Sequence, residues 1–112
     1  MAEKIKVVVK WPYEKYGHST WISPTLKNLQ KYVDGHIEYF QISTDMVAIV
    51  NEEGRINDLV YNCTICGMPL YGTVIFAGLD EDNEEHGLKN IQIDYQTFKK
   101  LFFSPEGENG WM

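Results

Sequence analysis

The chain has 112 residues, 44% hydrophobic and 23% charged, with a formal net charge of −6 at pH 7. That describes one globular domain with a single modest core and excludes a disordered chain. Overall acidity argues against duplex nucleic acid as a partner, since such binding depends on neutralising phosphates. The longest apolar runs, Val7–Val9, Met46–Val50 and Val74–Ala77, are far shorter than the roughly 20 residues of a membrane helix.

Ile5–Trp11 reads as a strand whose three consecutive valines call for burial on both faces. The breaker-rich segment 12–20 is expected to be a loop that returns at Trp21 and Ile22. Ser23 and Pro24 predict a helix start, as N-cap and first helical residue. Leu26, Leu29, Tyr32 and Val33 then form one apolar stripe, and Gly35 ends the helix. His36–Ile42 and Asp45–Asn51 are predicted strands. Asn51 to Gly54 reads as a hairpin tip with Gly54 at positive φ.

Segment 56–67 carries no clear pattern, and Met68-Pro69-Leu70 is expected to break whatever precedes it. Tyr71–Gly78 reads as one strand and Asp80–His86 as a solvated acidic loop. Asp94 is the predicted N-cap of a closing helix, Tyr95–Phe103, that buries Phe98, Leu101 and Phe102. The fold class is therefore α+β: a small single domain over residues 1–103, mostly antiparallel sheet with two helices packed on it. Residues 104–112 form a loose C-terminal tail on which Trp111 has room to dock.

Charge is unevenly spread. Residues 1–35 hold six lysines against three acidic side chains, a net of +3, whereas residues 36–112 hold four basic against thirteen acidic, a net of −9. The N-terminal start, Met-Ala-Glu-Lys-Ile-Lys, offers no secretory apolar region, so a soluble cytoplasmic protein is expected.

No motif names a reaction. Nucleophile elbow, phosphate loop and His-Glu-x-x-His are all absent. The acidic loop alternates Asp80, Asp82 and Glu84 like a calcium loop but has Glu85 where glycine is required and Ile91 where glutamate is required. Cys63 and Cys66 form a lone Cys-x-x-Cys without a second ligand pair, so they read as two small thiols rather than a zinc or redox site. Neither enzyme activity, metal nor cofactor is expected.

The segment 11–21 is richer in chemistry. Trp11, Tyr13, Tyr16 and Trp21 alternate with Lys15 and His18, and Lys10 immediately precedes them. Flat rings beside cations are what a base plus a phosphate calls for: stacking is worth about 1–3 kcal/mol per base, with charge-assisted bonds to the anion. Rings and cations on a loop also describe a protein-interface hot spot.

The stretch Asp45–Asn57, DMVAIVNEEGRIN, followed by Tyr61-Asn62, resembles the domain of unknown function 3846 family. The resemblance runs from about Ile5 to Phe102. It implies a compact α+β unit with a strand, a helix, an antiparallel meander and a closing helix, and assigns no activity. Asn51, Glu52, Glu53, Gly54 and Asn62 match its signature positions.

Such proteins occur mostly in phages, plasmids and their Gram-positive hosts, which implies counter-defence. The expected function is a non-enzymatic binding protein that sequesters a small anionic, nucleotide-like immune signal. Its ligand-binding residues are Trp11, Tyr13, Lys15, Tyr16, His18, Trp21, Asn51, Arg55, Tyr61 and Asn62, provided that loop 11–21 and segment 51–62 meet. A homo-oligomer suits such a site, because these pockets are often built between subunits. The alternative is an acidic protein–protein inhibitor of a host defence nuclease or restriction system.

Overall fold

The computed structural model describes residues 3–103, so the predicted tail and Trp111 lie outside the described residues. Eight strands and two helices follow in the order β1 (Ile5–Lys10), β2 (His18–Ile22), α1 (Leu26–Val33), β3 (Ile37–Ser43), β4 (Met46–Asn51), β5 (Tyr61–Ile65), β6 (Met68–Tyr71), β7 (Val74–Leu79), β8 (Leu88–Lys89) and α2 (Tyr95–Phe103). All pairings are antiparallel. The main sheet runs β2-β1-β7-β4-β3, with β8 added to the end of β7, and β5 and β6 form a separate hairpin. This is the expected α+β class.

Both faces of the main sheet are covered, which explains the unbroken apolar runs in β1, β4 and β7. Val7, Val9, Val47, Ile49, Ile75 and Ala77 meet Leu29 and Val33 of α1 on one face. Val8, Ala48, Val50 and Phe76 meet Phe98, Phe102 and Phe103 of α2, together with Ile65 and Leu70 of the β5–β6 hairpin, on the other. The rings of Phe76 and Phe98 cross edge to face at 4.8 Å, one of the arrangements aromatic pairs prefer.

Several local expectations change. β2 begins at His18, three residues before the predicted return, because β1 supplies a ladder from Val9↔His18 to Ile5↔Ile22. The N-cap of α1 is Thr25, whose hydroxyl accepts from Asn28 N at 3.2 Å, so Ser23 and Pro24 precede the helix. Leu26 and Leu101 leave their helices on the solvent side, and Phe103 takes the buried place expected for Leu101. Asp94 does cap α2, accepting from Thr97 N at 2.8 Å; those bonds hold its carboxyl below the usual range.

The largest change concerns residues 51–73. β4 does not fold back on β5 through a hairpin tip, since its sheet neighbours are β3 and β7. Gly54 is not among the positive-φ glycines. It packs closely instead: a Cβ there would lie 3.2 Å from both Cβ and the carbonyl oxygen of Tyr71, tighter than most such contacts. Segment 61–71 is a hairpin closed by Cys66 (φ 51) and Gly67 (φ 79), the two positive angles of a type I′ turn. Pro69 is tolerated there because β6 is an edge strand. The single strand predicted over 71–78 is broken at Gly72, φ 76, which divides β6 from β7.

Candidate functional site

Lys10 is the last residue of β1. Strand alternation places Val8 and Lys10 on the α2 face and Val9 and Trp11 on the α1 face. The lysine is therefore drawn under the hairpin, with 3% of its surface exposed. Asn62 receives it. The β5–β6 register shifts between Tyr61 and Cys63, and this bulge frees the Asn62 side chain from the ladder. Its Nδ2 donates to the carbonyls of Lys10 and Gly72, both at 2.8 Å, and its Oδ1 accepts from Lys10 Nζ at 2.8 Å. The two donor bonds fix the amide orientation, so the oxygen is presented to the ammonium.

The ammonium also lies 5.4 Å from the centre of the Phe103 ring, a cation–π distance. No carboxylate of the described residues forms an ion pair with it. Burial pulls its pKa down, with weaker opposing effects from Cys63 and Glu14. Cys63, beside it, is pushed the other way: desolvation raises its thiol from 9.0 to about 11. An ammonium carries three N–H donors, and Asn62 uses one of them.

Lys10 and Asn62 form the floor of an open cleft of about 460 Å³. Its walls are Pro12, Glu14 and Lys15 from the β1–β2 loop, Tyr61 and Thr64 from β5, and Phe102 and Phe103 from α2. The Tyr61 hydroxyl is 2.6 Å from Thr64 Oγ1, and its ring meets Tyr71 edge-on at 5.8 Å. One wall is thus aromatic, the floor cationic, and Lys15 adds a second positive charge at the rim. Such a cleft can take a small anion carrying a flat group.

A family model, described as "Domain of unknown function (DUF3846)", matches residues 5–102. The chain belongs to that family. No curated protein and no solved structure matches it.

In this DUF3846 chain the predicted site residues separate into four places. Lys15, Tyr61 and Asn62 line the cleft together, so of segment 51–62 only its last two residues reach loop 11–21 there. Tyr16 stands next to Lys15, half-buried against the α2 core, with the Lys15 and Lys99 ammoniums each 5.2 Å from its ring centre.

Trp11, Tyr13 and His18 cluster on the α1 side, where the Trp11 ring lies 5.7 Å from Tyr13 and 4.7 Å from His18. Glu14 orders that cluster by accepting from Trp11 N at 2.9 Å and bonding His18 Nδ1 at 2.9 Å. Trp21 pairs with Lys6 at the far end of β1, about 16 Å along the strand from Trp11 at ~3.3 Å per residue. The four rings are therefore not one cluster.

Asn51 and Arg55 line a separate hollow of about 300 Å³ between β3 and the hairpin. The Asn51 side chain is committed to structure: Nδ2 donates to the carbonyls of Val33 and Asp34 at 3.1 Å, and Oδ1 accepts from Glu53 N at 2.7 Å. Thr64 was not singled out by sequence, and Lys10 was noted beside the aromatic segment but not among the ligand-binding residues. For Lys10 a signal exists, since a lysine two residues after Val8 in an apolar strand must share its buried face.

Among the described residues no three His, Cys, Asp or Glu side chains gather in a way that could hold a metal ion. No helix among them is long and apolar enough to cross a membrane.

Proposed function

We propose that this domain binds a small, nucleotide-like anion in the Lys10–Asn62 cleft and holds it without cleaving it, as a sequestering protein in counter-defence. The observation that carries the reading is the buried Lys10 ammonium, which has an oriented amide and an aromatic ring for neighbours and, among the described residues, no ion-paired carboxylate. Glu14 in the cleft wall acts on it only from beyond ion-pair distance. Keeping a cation desolvated is unfavourable unless something compensates, and an anion entering the cleft supplies that compensation. Lys15 at the rim would take a second anionic oxygen, and Tyr61 would lie against a base. The reading of holding rather than turnover is supported by Cys63, the thiol in the cleft lining, which burial keeps protonated.

The test is a thermal-shift screen against cyclic and linear signalling nucleotides, with ADP-ribose-type molecules included. A ligand at about a hundredfold over its dissociation constant stabilises by about 2.7 kcal/mol, which at this size moves the midpoint by roughly 10 °C. The expected result is a shift with one class of nucleotide, lost in Lys10→Met, and recovery of that nucleotide intact after denaturation. A flat panel overturns the reading. It would leave the acidic loop, where Glu81, Asp82, Glu84 and Glu85 are all exposed, as the surface to test against basic proteins, with binding that weakens steeply as salt rises.

A further inference from the structure

Independently of the cleft, the structure points to pairing of two copies of this chain through strand β3. β3 ends the main sheet, and its seven residues, Ile37–Ser43, contain no lysine, arginine or proline. Those are the residues with which natural edge strands discourage pairing. The bulge in its ladder lies at its very end, between Gln41 and Ser43, so the strand is regular from Ile37 to Gln41.

The backbone direction can be read from the register. Glu52 N donates to His36 O at 2.8 Å, which makes His36 and Glu52 a hydrogen-bonded pair. In an antiparallel ladder such pairs alternate, so Glu38 and Phe40 bond Val50 and Ala48, while the N–H and C=O groups of Ile37, Tyr39 and Gln41 point away from β4. β4 agrees, because Leu79 N donates to Asp45 O at 3.0 Å and so turns the odd-numbered groups of β4 toward β7. Among the described residues the six outward groups of β3 have no partner.

A two-fold axis perpendicular to the sheet brings β3 against its own copy in an antiparallel pair. The register that sets Tyr39 opposite Tyr39 of the second copy also sets Ile37 opposite Gln41, and it pairs all six groups on each strand. Shifting the axis by one residue toward Glu38 sets the two glutamates opposite each other, which is unfavourable. A one-residue shift the other way sets Ile37 opposite Ser43, beyond the bulge, and so takes it out of the regular ladder. In the preferred register Glu38 faces Phe40, and no like charges stand opposite.

Side chains fit as well as backbone. Alternate residues of the incoming strand point to opposite faces, and β3 is flanked by a hollow on each. On the hairpin face, Val50, Met68 and Leu70 line one of about 300 Å³, which lies toward the incoming Phe40. On the α1 face, Leu26 and Ile37 line one of about 620 Å³, which lies toward the incoming Tyr39. Leu26 and Met68 are among the exposed large apolar side chains of the monomer, at 59% and 47%, and the dimer would give both a neighbour. A second copy satisfies the edge, both hollows and the charge pattern together.

The experiment is sedimentation velocity of the full chain over a wide concentration range, combined with amide hydrogen exchange. The expected result is a species of twice the chain mass, with concentration-dependent protection at the amides of Ile37, Tyr39 and Gln41, which a monomer leaves open. Tyr39→Pro removes an outward N–H, which an edge strand tolerates, together with the ring and its hydroxyl bond to His86 O at 2.8 Å, and should give a folded monomer. If that variant does not fold, Gln41→Lys places a charge on the same edge and should lower the dimer fraction alone. A monomer at every concentration overturns the proposal. So does a dimer in which these three amides stay unprotected, or one that survives Gln41→Lys and a folded Tyr39→Pro. A foreign strand as the true occupant would appear as a monomeric wild type.

Discussion

Two asparagines are buried among the described residues, Asn51 and Asn62, and they do opposite things with one side chain. Each donates Nδ2 to two backbone carbonyls. Asn51 Oδ1 accepts from another backbone group, Glu53 N, so the whole amide is consumed in holding the end of α1 to the end of β4. Gly35 completes that clasp, because a Cβ there would come within 2.6 Å of Asn51 Nδ2. Asn62 Oδ1 instead faces the Lys10 ammonium, and the ammonium faces a cleft. A fully backbone-bonded amide has nothing left for a ligand. An amide bonded to a buried cation sets up a site.

The comparison can be broken at either residue. Asn51→Ala orphans two carbonyls and an amide in a buried place and should cost about 3 kcal/mol of stability. That would lower the midpoint by roughly 10 °C or more in calorimetry, while the ligand-induced shift stays intact at a temperature where the variant is folded. Asn62→Ala should cost less, about 2 kcal/mol, because the space left by the amide would let water from the open cleft reach the Lys10 ammonium. Unlike the first variant it should also weaken the nucleotide. Equal loss of binding in both variants would end the distinction drawn between them.

Lys10→Met separates the site from the fold. Replacing a covered cation by an apolar side chain of similar length should leave stability within about 1 kcal/mol of the parent. Loss of one charge-assisted bond should weaken nucleotide binding by roughly 10- to 100-fold in titration calorimetry. A Lys10→Met protein that binds as the parent does would place the ligand elsewhere.

Alkaline pH gives the smallest and sharpest test. Lys10 is depressed in the fold, so the unfolded chain holds its proton longer, and stability attributable to Lys10 rises as pH climbs toward 10.5. Cys63 is raised, so its contribution is full below pH 9.0 and is lost as pH climbs toward about 11. The two oppose each other over the same window. Tyr39, raised by burial, adds a further loss above pH 10.0, so relative to the parent denaturant midpoints should fall more with pH in Lys10→Met and less in Cys63→Ala. Matching departures from the parent in the two variants would contradict the assigned environments. At mild pH the exposed Cys66 should be alkylated well before Cys63.

Sequence by itself determined the elements whose physics is local. The valine run of β1, the apolar stripe of α1, the Asp94 cap and the strands β3 and β4 are set by alternation, helical period and capping chemistry, and they stand within a residue or two of where those rules put them. The aromatic and basic character of segment 11–21 was equally legible, as was the match of Tyr61-Asn62 to a family signature. Which of these residues meet was decided only in three dimensions. Strand alternation, legible in the sequence, sends Trp11 and Lys10 to opposite faces of one sheet, but which face meets α1 and which meets the β5–β6 hairpin is known only from the fold. The β5–β6 hairpin rests on positive φ at Cys66, which a non-glycine residue does not advertise, and on a bulge at Asn62, which depends on the partner strand. The roles of Asn51 and Asn62 differ because of groups 17, 18 and 52 positions away. A side-chain amide bonds whatever the fold brings within 3 Å, and no rule of local spacing contains that information.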